Sequence, residues 1–294
     1  MDKNLVINFT PTGMIPTKEM TPYVPIQVQE IIDQVLEVSE LGITMVHLHA
    51  RDAQTGEPTY KKEIYGQIIE GIRKYQPDLV ICVSLSGRNF SEFEKRSEPL
   101  FLEGALKPDM GSLTLSSLNF NATASTNSPE MIQRLAKTML ENGIVPELEA
   151  FDIGMINYAK YLAKKGLIKP PFYFNLILGN IACAQANLLN AGIMTNDLPE
   201  QSFWSMAGIG NTQLKMNSIG IAMGGGVRVG IEDNIWYDTK RTQLASNKDL
   251  IVRIHTLAEA NEREIMSPSE LRQHLELGID GQYGRVLTQS VLNG

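Results

Sequence analysis

Residues 44–75, TMVHLHARDAQTGEPTYKKEIYGQIIEGIRKY, contain a β-strand pattern followed by a helical pattern. The run 44–50 is short and mostly apolar, which is typical of a buried strand. The run 61–75 has apolar residues at the three- and four-residue spacing of an amphipathic helix. A strand followed by a helix is the repeating unit of proteins built around a parallel sheet.

The same unit recurs along the chain, so that eight strand–helix pairs are predicted within 294 residues. No Pro/Ser-rich linker, charge block or low-complexity segment separates two domains. A chain of roughly 250 residues with eight such pairs is typical of a (β/α)8 barrel. An open doubly wound sheet is the alternative, but it usually has a glycine fingerprint after the first strand, and FTPTGM is not one. The predicted strands are 5–13, 44–50, 79–87, 108–115, 144–152, 171–179, 204–210 and 227–234.

We therefore predict an α/β protein with a (β/α)8 TIM barrel, forming a single domain over 1–294 with a short C-terminal helical extension. That extension is the amphipathic run 267–277, SPSELRQHLEL. Its apolar residues suggest a subunit interface, and hence a homo-oligomer.

Composition narrows the class of protein. With 43% hydrophobic residues, 20% charged residues and a net charge of −7, the chain is typical of a globular protein. It lacks the basic stripe of nucleic-acid-binding proteins. The cysteines, Cys82 and Cys183, have no pairing motif, and no run reaches the roughly 18–20 apolar residues of a membrane span. The N-terminal run MDKNLVINF does not resemble a signal peptide, so we expect a cytoplasmic protein without nucleic-acid or membrane partners.

His47 and His49 account for half of the four histidines and lie within the second predicted strand. Residues i and i+2 of a strand face the same side, so both imidazoles are expected to point toward the barrel axis. Val46 and Leu48 would then pack outward against helices. Two such imidazoles can ligate one cation, and zinc favours nitrogen ligands. The alternative is a pair of core histidines hydrogen-bonded to their neighbours.

Glu232 and Asp233 follow an apolar alternation in RVGIEDN, at the end of the eighth predicted strand. Catalytic zinc sites commonly have three protein ligands and an open position, and two histidines with one glutamate fit that pattern. Neighbouring strand residues face opposite sides, so only one carboxylate is expected to reach the metal. The other would be a base or an outer group. A helix N-cap pair is the alternative reading.

Arg228 lies four residues before Glu232 on the same predicted segment. A buried arginine needs a carboxylate partner, and Asp233 or Glu149 could provide it. Arg228 would either orient a catalytic carboxylate or bind an anionic substrate, and a structural ion pair at the rim is the alternative.

Five motifs, in this order, carry a family resemblance: TPTG (10–13), HLHARD (47–52), PELEAFD (146–152), AGIG (207–210) and RVGIEDN (228–234). They resemble the β-keto acid cleavage enzymes, a family that includes the 3-keto-5-aminohexanoate cleavage enzyme. The likeness covers almost the whole chain.

The resemblance implies a zinc-bearing barrel, usually oligomeric, that uses a β-keto acid and acetyl-CoA to give acetoacetate and a new CoA ester by retro-Claisen chemistry. It implies the metal ligands His47, His49 and Glu232. It also implies that Asp233 is the base and that Arg228 keeps this carboxylate ionised and oriented. It further implies substrate contacts from Ser84, Gly87, Ser112 and Thr114, with Glu149 nearby.

The chain departs from the family pattern at three positions. Arg88 stands where a second glycine is usual after the third strand, and Met155 where a histidine is usual. Met14 stands near where the aminohexanoate enzyme carries an acidic group, which makes an amino substrate unexpected here. Arg88 either pairs with a carboxylate on the distal end of the substrate or caps the third helix.

Two other functions stay open at this point. One is a different metal-dependent barrel enzyme, a class II aldolase-like C–C lyase or a hydrolase. Amidohydrolases add further metal-binding histidines, and only His255 and His274 remain, both on predicted helices. The other is a non-catalytic barrel that binds a small ligand. An oligomer would be a dimer or a tetramer.

Overall fold

The computed structural model describes residues 4–278 and 281–285, which form a closed barrel of eight parallel strands. The predicted (β/α)8 TIM barrel is confirmed. Around the barrel the strands follow the order β1-β10-β9-β8-β7-β4-β3-β2. The barrel strands are β1 (Ile7–Phe9), β2 (Met45–Leu48), β3 (Val80–Val83), β4 (Met110–Thr114), β7 (Val145–Ala150), β8 (Phe172–Leu178), β9 (Ser202–Gly208) and β10 (Gly226–Val229).

Helices connect the barrel strands on the outside. The α-helices are α1 (Val28–Leu41), α2 (Lys62–Arg73), α3 (Phe93–Ser97), α4 (Pro129–Glu141), α5 (Ile153–Lys164), α6 (Leu188–Asn196), α7 (Gln213–Ala222), α8 (Asn247–Ala260) and α9 (Pro268–His274). None of the helices in the described part of the chain combines the length and the apolar character that crossing a membrane requires.

Most barrel strands are shorter than predicted, the first ending at Phe9 and the third at Val83. Three further differences change the local structure. A small antiparallel hairpin, β5 (Leu118–Asn119) with β6 (Ala124–Ser125), follows β4 and was not predicted. The third helix, which the sequence predicts over 89–100, covers only Phe93–Ser97. It continues as a 3-10 turn, Glu98–Phe101, because Pro99 has no N–H group to extend an α-helical ladder.

The eighth barrel strand ends at Val229 rather than continuing to residue 234. Gly230 lies against the backbone of Thr10, where a Cβ atom would stand 2.0 Å from the Thr10 carbonyl oxygen. The chain turns there, and the amides of Asp233 and Asn234 donate to the Gly230 carbonyl. Glu232 and Asp233 therefore lie in a turn, so the strand rule that would send them to opposite sides does not apply.

The alternation within strands divides the core into an outer and an inner part. Val46 and Leu48 pack in the outer cluster between strands and helices, as predicted. Met45 belongs to a separate inner cluster at the N-terminal end of the barrel.

Helix α9 covers that N-terminal end of the barrel. Leu271 and Leu275 are fully buried in the inner cluster, so the apolar residues on which the prediction of a subunit interface rested are not available to a partner. The apolar residues of the tail instead exclude water from the N-terminal end of the barrel. Asp109 anchors the helix, since its carboxylate accepts hydrogen bonds from Arg272 at 2.8 and 3.0 Å and from Arg73 at 3.2 Å.

Candidate active site

His47 and His49 both point to the barrel axis, and Glu232 from the turn after β10 joins them. The Nε2 atoms of the two histidines are 3.2 Å apart, and His49 Nε2 is 3.2 Å from Glu232 Oε1. His47 Nε2 and Glu232 Oε1 are 4.0 Å apart. Three atoms able to ligate a metal thus converge on one point, with all of them within 4.8 Å of one another.

The donor set fits a small divalent cation. Bonds of about 2.0–2.1 Å at tetrahedral angles would separate ligand atoms by roughly 3.3 Å, close to the two shorter distances. Glu232 Oε2 is buried and has no hydrogen-bond partner among the described residues. Four buried or nearly buried carboxylates lie around this point, and among the described residues Arg228 is the only arginine ion-paired with any of them, so a cation would offset their excess negative charge.

Glu147 lies on the inner side of His47, away from the metal-facing nitrogen. Its Oε2 accepts a hydrogen bond from His47 Nδ1, and Asn8 and Cys82 also donate to its carboxylate. Burial alone would raise the pKa of Glu147, but the charge and hydrogen bond of His47, together with Arg228 and Asn8, lower the pKa to about 2. An ionised Glu147 keeps the proton of His47 on Nδ1, which leaves Nε2 as the lone pair for a metal.

Arg228 connects three carboxylates on the C-terminal side of the barrel. Its Nε donates to Asp233 Oδ2 at 3.0 Å, one Nη to Glu232 Oε1, and the other Nη lies 3.5 Å from Glu149 Oε1. Glu149 also accepts a hydrogen bond from Thr114 at 2.7 Å. Both partners named from the sequence, Asp233 and Glu149, therefore contact Arg228.

The two carboxyl groups beside Arg228 have raised pKa values. Burial raises the pKa of Asp233, Arg228 lowers it and Glu232 raises it again, which leaves it at about 6. Burial likewise raises the pKa of Glu149, although Arg228 and His47 oppose the effect. For Glu232 the charges of His49 and Arg228 overcome burial and hold the pKa well below its usual range. One carboxyl group is thus kept ionised, as a metal ligand must be, while another has a pKa suited to exchanging a proton.

These groups open into one cavity of about 340 Å³ at the C-terminal end of the barrel. Nine of the site residues predicted from the sequence line this cavity: Met14, His49, Ser84, Arg88, Thr114, Glu149, Arg228, Glu232 and Asp233. His47 lies behind His49 and is almost fully buried.

The sequence model of the beta-keto acid cleavage enzyme family (BKACE) matches residues 4–277. The chain belongs to the beta-keto acid cleavage enzyme family. It is 37% identical to the 3-keto-5-aminohexanoate cleavage enzyme of Fusobacterium nucleatum, over 94% of this chain and 99% of that protein. It is 33% identical to the 3-oxoadipate:acetyl-CoA acetyltransferase of Cupriavidus necator, over 96% of this chain and 99% of that protein.

Solved structures agree on the fold of this BKACE enzyme. The apo structure of ObcA superposes with a TM-score of 0.75 at 17% identity, covering 88% of this chain and 66% of that one. A dihydrodipicolinate synthase from Bacteroides thetaiotaomicron gives a TM-score of 0.50 at 10% identity, covering 93% and 80%. At these identities the likeness concerns the barrel alone.

Two predicted substrate contacts of this BKACE enzyme do not line the cavity. Ser112 Oγ accepts a hydrogen bond from the Leu85 amide and is buried. Gly87 is packed so closely that a Cβ atom would stand 2.7 Å from an Arg96 nitrogen and 2.6 Å from the Thr126 carbonyl oxygen.

Arg51, in the HLHARD motif, organises the loop that carries Met14. Its guanidinium donates to the carbonyl oxygens of Gly13, Pro16 and Gly56. Gly13 has a φ of +67°, and a Cβ atom there would stand 2.6 Å from Glu232 Cγ. Sequence reasoning assigned neither residue a role, although an arginine and a glycine within the matching motifs were the available signal.

The three departures from the family pattern have different surroundings. Met14 lines the cavity. Met155 is buried at the start of α5, where its sulfur lies 3.1 Å from the Phe151 amide. Arg88 stacks on Phe120, and α3 begins only after its N-cap Glu92, so Arg88 does not cap the third helix.

Proposed function

We propose that this chain catalyses the exchange between a β-keto acid and acetyl-CoA, giving acetoacetate and a new CoA ester, with a zinc ion at His47, His49 and Glu232. The observation that carries the proposal is the convergence of these three ligand atoms beside the Arg228–Asp233 pair in one cavity. The names of the relatives, among them a 3-oxoadipate:acetyl-CoA acetyltransferase, support the choice of co-substrate.

Zinc suits a set of two imidazoles and one carboxylate that leaves a position open. When bound, the cation would supply Lewis acidity to the keto group of the substrate. His47, His49 and Glu232 would hold it, and Glu147 would fix the imidazole of His47 from the other side.

Asp233 is proposed as the base. It faces the cavity beside Glu232, and its Oδ2 is held by Arg228 Nε at 3.0 Å. This hydrogen bond orients the carboxylate, so that a proton can pass from the α-carbon of the substrate to an Asp233 oxygen. Thr114, Glu149 and Ser84, on the neighbouring wall, are proposed to contact the substrate.

The exchange requires neither an oxidant nor a reductant. The α-carbanion forms a C–C bond to the acetyl carbonyl carbon of acetyl-CoA, and the C–S bond breaks to release the CoA thiolate. The thiolate adds to the original keto carbon, and the bond from that carbon to the α-carbon breaks. The new CoA ester leaves, and Asp233 returns its proton to the α-carbon, which gives acetoacetate.

The assembly and the location are further parts of the proposal. A homo-oligomer, dimer or tetramer, is supported by exposed apolar side chains at α6, where Leu188 and Leu189 are each 71% exposed. Sedimentation of the wild type and of Leu189→Lys tests it, since a monomeric wild type would contradict the proposal. A cytoplasmic location is supported by the unpaired thiols of Cys82 and Cys183.

The reaction is tested by incubating metal-analysed protein with acetyl-CoA and a panel of β-keto acids, with mass spectrometry of acetoacetate and CoA esters. We expect acetoacetate together with one dominant new CoA ester. Zinc-loaded protein that cleaves β-keto acids without acetyl-CoA would instead indicate an aldolase-like lyase, and protein that turns over no panel member would contradict the exchange reaction.

A further inference from the structure

The wall of the cavity carries five charged residues, and four of them belong to one cluster. Arg228 is paired with Glu149, Glu232 and Asp233. The fifth is Arg88. Among the described residues, its guanidinium has no hydrogen-bond or ion-pair partner, and its Nε is buried without one.

Phe120 fixes the orientation of this free guanidinium. The Arg88 Cζ atom lies 3.6 Å from the centroid of the Phe120 ring, which is a cation–π contact. Such stacking covers the flat face of a guanidinium, whereas its N–H donors point outward in the plane. Arg88 is therefore preorganised to donate to a planar anion, and a carboxylate can accept two parallel hydrogen bonds from it.

The surroundings of Arg88 favour one small anion. The cavity wall beyond the Arg228 cluster is mostly apolar or neutral, with Met14, Ile15, Phe120 and Ile209 among its members. Burial lowers the pKa of Arg88, whereas the negative charges of Glu232, Glu149 and Asp233 raise it. The guanidinium is therefore partly desolvated and interacts electrostatically with these carboxylates. A partly desolvated arginine without a carboxylate partner is available for charge-assisted hydrogen bonds to a ligand anion.

We propose that Arg88 binds the terminal carboxylate of the substrate, so that this enzyme prefers a β-keto diacid to a β-keto monoacid of equal chain length. The inference rests on the proposed function, because it names the class of β-keto acid for that same cavity. Met14 complements Arg88, since a neutral thioether at this position leaves the guanidinium unneutralised.

A phosphate of coenzyme A has the same chemistry as an anion, and it is the competing ligand for Arg88. The described lining residues offer only this one unpaired cation. One guanidinium matches one carboxylate, whereas the several phosphates of a CoA molecule are usually held by more than one donor group. We therefore assign Arg88 to the substrate.

Equilibrium binding of unreactive acids tests the inference without turnover. Glutarate, adipate and pimelate are titrated by calorimetry against pentanoate, hexanoate and heptanoate. For the best diacid, Arg88→Met should weaken binding roughly ten- to a hundredfold, the loss expected for a charge-assisted hydrogen-bond pair, and should leave the monoacids unchanged. The matched control is Arg134→Met, because Arg134 also stacks on a phenylalanine, Phe93, but lies outside the cavity.

Kinetics with matched 3-oxo diacids and 3-oxo monoacids provide the second readout. Arg88→Met should raise KM for the diacid and not for acetyl-CoA, and Met14→Glu should also disfavour the diacid by adding a negative charge. Unchanged diacid binding in Arg88→Met, or a rise of KM for acetyl-CoA alone, would overturn the assignment. If diacids bind through Arg88 but no exchange is found, the proposed function fails while the anion site stands.

Discussion

Glu147 and His47 form a buried hydrogen-bonded pair inside the barrel, in which His47 Nδ1 contacts Glu147 Oε2 and His47 Nε2 faces His49 and Glu232. The pair joins two strands that are not neighbours in the barrel, β2 and β7. One imidazole nitrogen is therefore engaged on the inner side, and only the other is available to a metal. Such outer carboxylates fix the tautomer and raise the basicity of a histidine ligand.

Replacing Glu147 with glutamine should weaken metal binding without removing a ligand. We expect the affinity for zinc to fall about 10- to 100-fold, the usual effect of losing a partner behind a ligating histidine. Competition with a chromophoric chelator measures it. Glu63→Gln on the exposed side of α2 is the control, and an unchanged affinity in Glu147→Gln would show that His47 does not need this partner.

Gly13 permits the close packing of its loop against Glu232, so Gly13→Ala should disturb the metal site. Two effects are expected: a conformational cost of about 1–2 kcal/mol for an alanine at positive φ, and displacement of Glu232, whose Cγ would lie 2.6 Å from the new Cβ. Gly166→Ala separates the two effects, since Gly166 has a φ of +73° and no atom of the described residues lies within 4 Å of the added Cβ. Zinc affinity should fall in Gly13→Ala only. Equal zinc affinity in both variants would contradict the packing argument.

Asp233→Asn should retain the metal and lose turnover. The amide keeps the shape of the side chain but cannot accept the α-proton, so kcat should fall by about 10²- to 10⁴-fold. Metal analysis and the exchange assay are run on the same sample, with Asp33→Asn on the exposed side of α1 as control. His47→Ala should instead lose metal and turnover together. An active Asp233→Asn would remove Asp233 as the base.

Asp109→Asn should destabilise the fold without affecting the cavity. The change leaves Arg272 and Arg73 without their carboxylate at the N-terminal end of the barrel. Breaking such a buried ion pair costs about 3–5 kcal/mol, which denaturant unfolding can measure. The control is Glu37→Gln, whose ion pair with Lys248 is half exposed and should contribute about 0–1 kcal/mol. Similar losses in both variants would contradict the anchoring role of Asp109.

The fold could be predicted from the sequence because its signals are local. Eight alternations of strand and helix patterns lead to a barrel, and the i, i+2 spacing of His47 and His49 places both imidazoles on its inner side. The cluster of Arg228 with carboxylates could also be predicted from the sequence, since a buried arginine requires carboxylate partners.

The tertiary structure decided which side chains meet across the barrel. Glu147 lies 100 residues from His47, and only the register of the strands brings them together. The turn at Gly230 directs both Glu232 and Asp233 to the cavity, where the strand rule predicted one. The sequence predicted that Ser112 contacts the substrate, but its hydroxyl accepts a hydrogen bond from the Leu85 amide. The sequence also predicted an interface at α9, but the apolar side chains of this helix pack inside the barrel end. Spacing along a strand fixes the side to which a residue points, whereas its neighbours there depend on strand register and chain turns, which arise only when the barrel closes.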